Sequence, residues 1–551
     1  MNASERGSDK RDQEMPGRHP TPMTSLGGLC LELLSGKGLE SAFLEEIGLK
    51  HETVLCHHGA VFPKTPHGNK DGPMAAQTSA SSSRASAKRA QRRAKRSESL
   101  SGSMRQFLTP EVWKQVKHAA SQHGCRNGVR WTLQPLIMIA AIMTWCAGET
   151  DADRFVLARS FYVQVHCPKR QRPGKAFSGF CKAMLRLPMP VWWAFCDAVR
   201  SRVFHLLADR MTMEGWFPLG CDGSRMECPR TAELEQSLGK SRKDKSAPTL
   251  WVIALVSLTT GVLWSWHLGT SKTGERRYLI DLLKTLPQAV LQNVLLVCDA
   301  GYVGYDLFGL LLKQQCSFLI RLSSQAQLYS EEMVKVEGFT EGEFWYWTDD
   351  AENKSKPALR VRVIRVAARK RKNDVWLVTN VLDPKRLPAE LAARFYRMRW
   401  ESECFFRTYK RVVKDVRLVS RTVPMVVREA EVSLLACQLL LGQGALALKV
   451  GGKRAGRDEL KCSAAEVLRE IRRELDAARK PVPRSSFAKR LQQTGRDRRE
   501  RTGPKMKREP PRRKKHVAPQ PPRLKVLSAE QKRQIEALNL KEAAAQVIMR
   551  P

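Results

Sequence analysis

The run "WFPLGCD" at residues 216–222 and its counterpart "NVLLVCDAG" at 293–301 decide how the middle of this chain is read. Each is a short, apolar, β-rich segment that leads into an aspartate, Asp222 in one and Asp299 in the other. Between them lie two more β-rich runs, "LWVIALVSL" (250–258) and "GVLWSWHLG" (261–269), and the helical pattern "ERRYLIDLLKTL" (275–286). The helical "GYDLFGLLLKQQ" (304–315) and the strand-like "CSFLIRL" (316–322) follow. Three strands, a helix, a strand, a helix and a strand describe a mixed α/β sheet whose first three strands can form a meander. Catalytic groups commonly emerge at strand ends of such sheets, which makes Asp222 and Asp299 candidate site residues.

Outward from this block, covering 216–323, the texture changes on both sides. "EGEFWYWTD" (341–349), "ALRVRVIRVA" (358–367) and "DVWLVTNVL" (374–382) are rich in aromatic and β-branched residues and predict a β insertion over 324–385. The charged "DDAENKSKP" and "ARKRKN" between them read as turns, which leaves Asp349 and Asp350 in solvent. Residues 386–450 return to helix. Upstream, 106–215 carries helical patterns with interspersed Arg and Lys, suited to DNA contact, opened by Thr109 as N-cap and Pro110 at the first helical position. Residues 76–105 are too poor in apolar side chains to fold and read as a basic disordered linker; 1–75 hold one helical pattern of unassigned role. The tail, 451–551, is expected to be basic and largely disordered: from Arg484 to Lys525 there are 16 Lys and Arg against Asp497, Glu500 and Glu509. Ser528 and Gln531 fit a capping box ahead of a short terminal helix.

Composition narrows the function classes. A chain of 551 residues can hold two to four domains and a sizeable core without disulfides or a structural metal. With 95 Lys and Arg against 55 Asp and Glu, the formal charge of +40 points to a polyanionic partner, and nucleic acid is the commonest. A packing protein of the ribosomal or chromatin kind would share that charge. The 14 cysteines are scattered singly, as expected of reduced core residues in a cytoplasmic protein. "CHHG" (56–59) has no second ligand pair at zinc-like spacing, and "SLGKSRKDKS" (237–246) lacks the spacing of a nucleotide-binding loop. The polar N-terminus is not a signal peptide. The apolar runs at 133–148 and 432–448 fall short of a membrane span and read as buried helices.

One helical stretch carries both charge signs and aromatics: "FYRMRWESECFFRTYK", residues 395–410. At about 100° per residue, Arg399, Glu403 and Lys410 fall at roughly −60°, −20° and −40° relative to Tyr396. Arg407 falls at about 20° on the same face, whereas Glu401 falls at about 140° and points away. Glu403 is therefore the carboxylate of interest, and the stripe of about 21 Å could follow successive phosphates. The bland alternative is a surface helix held by i,i+4 ion pairs. Two aspartates and a glutamate form an oxygen-only ligand set suited to Mg²⁺ or Mn²⁺.

The spacing Tyr396, Arg399, Glu403, Lys410 reproduces the Y-(2)-R-(3)-E-(6)-K signature, "CDGSRMECPRT" (221–231) resembles a first-Asp motif and "CDAGYVGYDLF" (298–308) a second. Over about residues 106–450 the chain resembles the DDE transposases of insertion-sequence family four. That resemblance implies a ribonuclease H-like catalytic core interrupted by the β insertion. It implies metal-binding catalytic roles for Asp222, Asp299 and Glu403 with two Mg²⁺ or Mn²⁺ ions, and phosphate-gripping roles for Tyr396, Arg399 and Lys410. Trp376 in "VWLVTN" matches a residue on which family members stack a flipped base, with Trp345 and Trp347 as rivals and a buried strand Trp as the alternative. Arg225 and Glu227 follow the first Asp closely enough to line the site. The expected partners are transposon-end DNA and target DNA, bound by a homodimer in a prokaryotic, nucleoid-associated setting without a membrane. A stand-alone metal-dependent nuclease and an inactive DNA-binding relic are the alternatives.

Overall fold

A computed structural model of the chain describes residues 99–125, 131–167, 172–239, 246–367, 374–413, 417–450, 461–477, 486–494 and 521–548. The expectations for 1–75, for 76–98 and for the remaining gaps lie outside these residues. The helix Leu100–Phe107, N-capped by Ser99, buries Leu100, Met104 and Phe107 on one face, so the stretch read as linker up to 105 is already folded from 99. Their 4- and 3-residue spacing is that of a helix face.

The described residues form a mixed α/β structure built on a ten-stranded sheet, in the order β10-β6-β7-β8-β9-β5-β4-β1-β2-β3. β1 (Phe217–Glu227), β2 (Thr249–Ser257) and β3 (Leu263–Thr270) form an antiparallel meander. β4 (Val294–Cys298) runs parallel to β1, and β5 (Ser317–Arg321) parallel to β4. The alternation of β4 shows why the sheet is covered on both faces. Val294, Leu296 and Cys298 join the cluster that includes the helical region, while Leu295 and Val297 join a second cluster with Leu319, Phe395 and Met398.

The insertion is not a separate sheet. β6 (Gln327–Ser330), β7 (Glu341–Tyr346), β8 (Leu359–Val366) and β9 (Val375–Thr379) extend the central one, because β9 pairs antiparallel with β5. Asp349 and Asp350, read as a solvated turn, open the short helix Asp349–Asn353. The tail also differs from its expectation where it is described. Helices Ala464–Ala477 and Phe487–Gln493 bury Val467, Ile471, Phe487 and Leu491 in the main core. β10 (Arg523–Val526) adds a parallel strand to the β6 edge. The terminal helix spans Ala529–Ile548, and its Ser528–Gln531 capping box is present, each backbone amide donating to the other side chain at 3.1 Å.

The helices Pro110–Gln122, Leu133–Trp145, Asp151–His166, Phe177–Arg186 and Met189–Met211 pack onto the sheet through the 28-residue helix Val423–Val450. This last helix is long and apolar enough to cross a membrane by length and composition, yet it is buried within the protein. Its Glu431 carboxylate accepts from the indoles of Trp192 at 3.1 Å and Trp266 at 2.9 Å, and Ala436 O accepts from Trp145 Nε1 at 3.1 Å. The helical region and the sheet therefore share one core.

Candidate active site

Asp222 does not end its strand; β1 continues for five residues beyond it. What ends is its neighbour. The parallel pairing of β1 with β4 stops at Gly220 opposite Val297, and Asp299 follows the last residue of β4. Both aspartates thus flank the point where the sheet opens between β1 and β4. Each is oriented by a backbone amide: Gly223 N–H donates to Asp222 Oδ1 at 2.9 Å, and Ala300 N–H to Asp299 Oδ1 at 2.7 Å, which caps the 3₁₀ turn Ala300–Tyr302.

Glu403 comes from across one sheet face. The run 395–410 is not one straight helix: Ala389–Met398 and Trp400–Thr408 meet at Arg399, and a π turn, Tyr409–Val413, follows. Arg399 N–H bonds Tyr396 O at 3.1 Å, an i to i−3 contact that tightens the chain there. The close seat of Trp400–Thr408 on β1 depends on Gly220, where a Cβ would lie 2.2 Å from Ser402 Oγ and 2.6 Å from a Leu258 methyl. By the period of two, Asp222 faces the same side as Gly220. Gly220→Ala is expected to cost about 1–3 kcal/mol by overpacking. Thermal unfolding checks this, and adding Ser402→Ala should return part of the loss; an unchanged midpoint in the single variant would contradict the close packing.

Charge at this opening is dense. Arg399 pairs with Glu403 at 2.7 Å, lies 5.8 Å from the centre of the Tyr396 ring and is near Asp299. Burial alone would lower the Arg399 pKa; the bond to Glu403 and the neighbouring anions leave it raised. Arg321 reaches Asp299 at 3.9 Å. Burial raises the Asp222 carboxyl to about 6 against the pull of the Gly223 amide, and Glu275 and Glu403 add to the rise. As the side chains stand, no three His, Cys, Asp or Glu among the described residues are close enough to hold a metal ion. Positive charge among the carboxylates comes from Arg399 at Glu403 and Arg321 at Asp299. The donor set nonetheless suits a hard divalent cation: it offers only carboxylate oxygens, and their mutual repulsion at Asp222 is what such a cation relieves.

The remaining sequence candidates divide. Lys410, its pKa lowered by burial, and the exposed Arg407 line a cleft of about 450 Å³ beside Glu403, together with Trp400, Cys404, Phe406 and Arg411. Arg407 approaches Cys404 Sγ at 3.8 Å; it is Arg399 that holds Glu403. Tyr396 is half-buried, its hydroxyl raised by burial. Trp376 stands apart. It is 4% exposed and stacked on Phe339 at 5.3 Å, with Arg365 over it at 5.7 Å, so no face is open to a base. Trp347 is buried as well, with its indole donating to Lys356 O at 2.9 Å. Arg225 lies over Trp251 at 4.6 Å, and Glu227 pairs with Arg417 at 3.7 Å. Glu401, set aside by its angle, points into the interior and pairs with Lys461 at 2.6 Å. The sequence reading missed Glu275, the first residue of the helix Glu275–Lys284, which no motif marks.

Residues 221–437 match the family model of the transposase DDE domain, a span that contains Asp222, Asp299 and Glu403. This match supports a DDE transposase. No curated protein matches the chain. Among solved structures, the chain is similar to a piggyBac transposase synaptic complex with hairpin DNA, at 12% identity and a TM-score of 0.35, over 71% of this chain and 84% of that one.

Proposed function

We propose that this chain is a transposase that cuts the phosphodiester at each transposon end with a divalent metal and then joins the freed 3′-hydroxyl to target DNA. The observation that supports it is the convergence of Asp222, Asp299 and Glu403 around Arg399, inside the segment that matches the DDE domain. The strand order β3-β2-β1-β4-β5, antiparallel through the meander and parallel beyond it, is the one expected of a ribonuclease H-like core. The Y-(2)-R-(3)-E-(6)-K spacing of Tyr396, Arg399, Glu403 and Lys410 assigns the chain, in this reading, to insertion-sequence family four.

In this reading Asp222, Asp299 and Glu403 hold Mg²⁺ or Mn²⁺, two ions to a site. When bound, such ions activate water or a 3′-hydroxyl and stabilise the leaving oxygen. The protein's own groups set the geometry. Backbone amides at Gly223 and Ala300 fix the two aspartates. Arg399 orients Glu403 and offsets the charge of Asp299. Lys410, Arg407 and Arg411, lining the cleft next to Glu403, supply cations for the phosphates of the bound strand. Because two ends must be joined, the working form is a homodimer on DNA.

Cleavage of DNA with and without the element's terminal inverted repeats, in Mg²⁺ and in chelator, tests the reading. Preference for the repeats and dependence on the metal are expected; indifference to the repeats would mean a stand-alone nuclease. Arg407→Ala and Lys410→Ala should each weaken DNA binding and reduce the slope of log affinity against log salt by about one. Titrations at several salt concentrations measure this, and unchanged slopes would remove these cations from the interface.

A further inference from the structure

From Arg154 to Cys196 the sequence carries eight Lys and Arg and not one Asp or Glu, in a protein where 55 of 551 residues are acidic. The helix Phe177–Arg186 lies in this run. It buries Phe180, Ala183 and Met184 and leaves Ser178, Lys182, Leu185 and Arg186 exposed. At about 100° per residue these four fall at roughly 0°, 40°, −20° and 80°, a single outward face about 12 Å long. Leu185, 44% exposed, stands among the cations of that face.

Both ends of the helix are held. Before it, Arg159 donates to Pro173 O at 2.8 Å and to Gly174 O at 2.7 Å, and Gly174 is seated on Trp131, whose Nε1 lies 2.9 Å from where a Cβ would be. Exposed Arg172 and Lys175 are thereby fixed beside the start of the helix, so they lose little freedom on gripping a ligand. After it, Leu187 O accepts from the buried Arg428 guanidinium. Tyr409, the neighbour of Lys410, shares a hydrogen bond of 2.6 Å with Ser433. Arg428 and Ser433 both belong to Val423–Val450, about 7.5 Å apart along its axis. One buried helix thus anchors both the cationic face and the cleft beside Glu403.

We propose that the outward face of Phe177–Arg186 reads the transposon end: Ser178, Lys182 and Leu185 meet base edges in the major groove, while Arg172, Lys175 and Arg186 grip the flanking phosphates. This rests on the transposase reading above, yet the helix lies outside the segment that matches the DDE domain. Phosphate contacts position a duplex without selecting its sequence. A hydroxyl and an apolar side chain among the cations add contacts that tell bases apart, the apolar one by touching a thymine methyl.

The test is binding of the full chain, in chelator and at several salt concentrations, to a labelled duplex of the element's terminal inverted repeat and to one of unrelated sequence. Leu185→Ala and Lys182→Ala should each weaken binding to the repeat at least about fivefold more than binding to the unrelated duplex. Arg172→Ala should weaken both alike and lower the slope of log affinity against log salt by about one. Lys114→Ala, an exposed change on the helix Pro110–Gln122, should alter neither, and all four variants should keep the wild-type Tm because these side chains are exposed. Wild-type affinities in the Leu185 and Lys182 variants, or equal losses on both duplexes, would overturn the proposal and leave the transposase reading in place. Losses of the same size in Lys114→Ala would overturn it too, since net charge rather than this face would then set the affinity. If wild type itself does not prefer the repeat, the transposase reading falls and this inference with it.

Discussion

Asp222→Asn, Asp299→Asn and Glu403→Gln are each expected to lower metal-dependent cleavage of transposon-end DNA at least about a thousandfold, a loss of roughly 4 kcal/mol of transition-state stabilisation. Each change removes one anionic oxygen ligand while keeping the size of the side chain. None of the three carries the packing of its element. The Asp299 and Glu403 side chains are 48% and 35% exposed, and Asp222 sits among like charges that the amide would relieve. Unfolding temperatures close to wild type, with DNA binding retained, should therefore accompany the loss. Glu403→Gln also breaks the charge-assisted bond at 2.7 Å to Arg399, so a small stability cost is expected there alone. Single-turnover cleavage of a labelled transposon end measures the effect. Cleavage that survives in Asp299→Asn would end the assignment of that residue to catalysis.

Two residues from Glu403, Glu401→Ala should do the opposite: leave the chemistry of the folded protein intact and destabilise it by about 3–5 kcal/mol. Glu401 and Lys461 form a buried ion pair at 2.6 Å, with side chains 7% and 6% exposed. Removing the carboxylate leaves the Lys461 ammonium buried without it, and a buried charge stripped of its counter-ion costs far more than the pair contributes. The pair also ties the residues after 460 to the helix that carries Glu403, so a shortened unfolding plateau should be visible in denaturant titrations. Glu401→Ala with Lys461→Met removes both charges and should recover most of the loss. A single variant as stable as wild type would show that Lys461 finds water or another partner.

The contrast between these two glutamates shows where sequence suffices. Helical angle depends only on local backbone geometry, so about 100° per residue separates Glu403 from Glu401 without any knowledge of neighbours. The order of the five strands over 216–323 is legible for the same reason, since alternation and 3.6-residue periodicity are written into consecutive side chains, but the short helices Ala232–Leu238 and Gln288–Leu291 are not. Asp222 shows the limit of that reading. The apolar run before it predicts the end of a strand, but the strand continues to Glu227, and the opening at Asp222 arises because β4, some seventy residues away, stops there. The resemblance around "VWLVTN" leaves Trp376 either a base-stacking residue or a buried strand Trp, and only the structure chooses: the indole is buried and covered by Phe339 from the β6–β7 connection, a contact that no local pattern encodes.

By itself, then, the sequence determined the α/β texture, the helix on which Glu403 and Arg399 meet, and a charge that calls for a polyanion. Only the tertiary structure decided that the insertion and β10 continue the central sheet, that Lys461 closes on Glu401, and that Glu275 comes to rest beside Asp222. The physical reason is the range of the interactions. Periodicity and helical angle act over one or two turns of chain, whereas strand pairing, buried ion pairs and the convergence of like charges depend on which distant segments the closed core brings together.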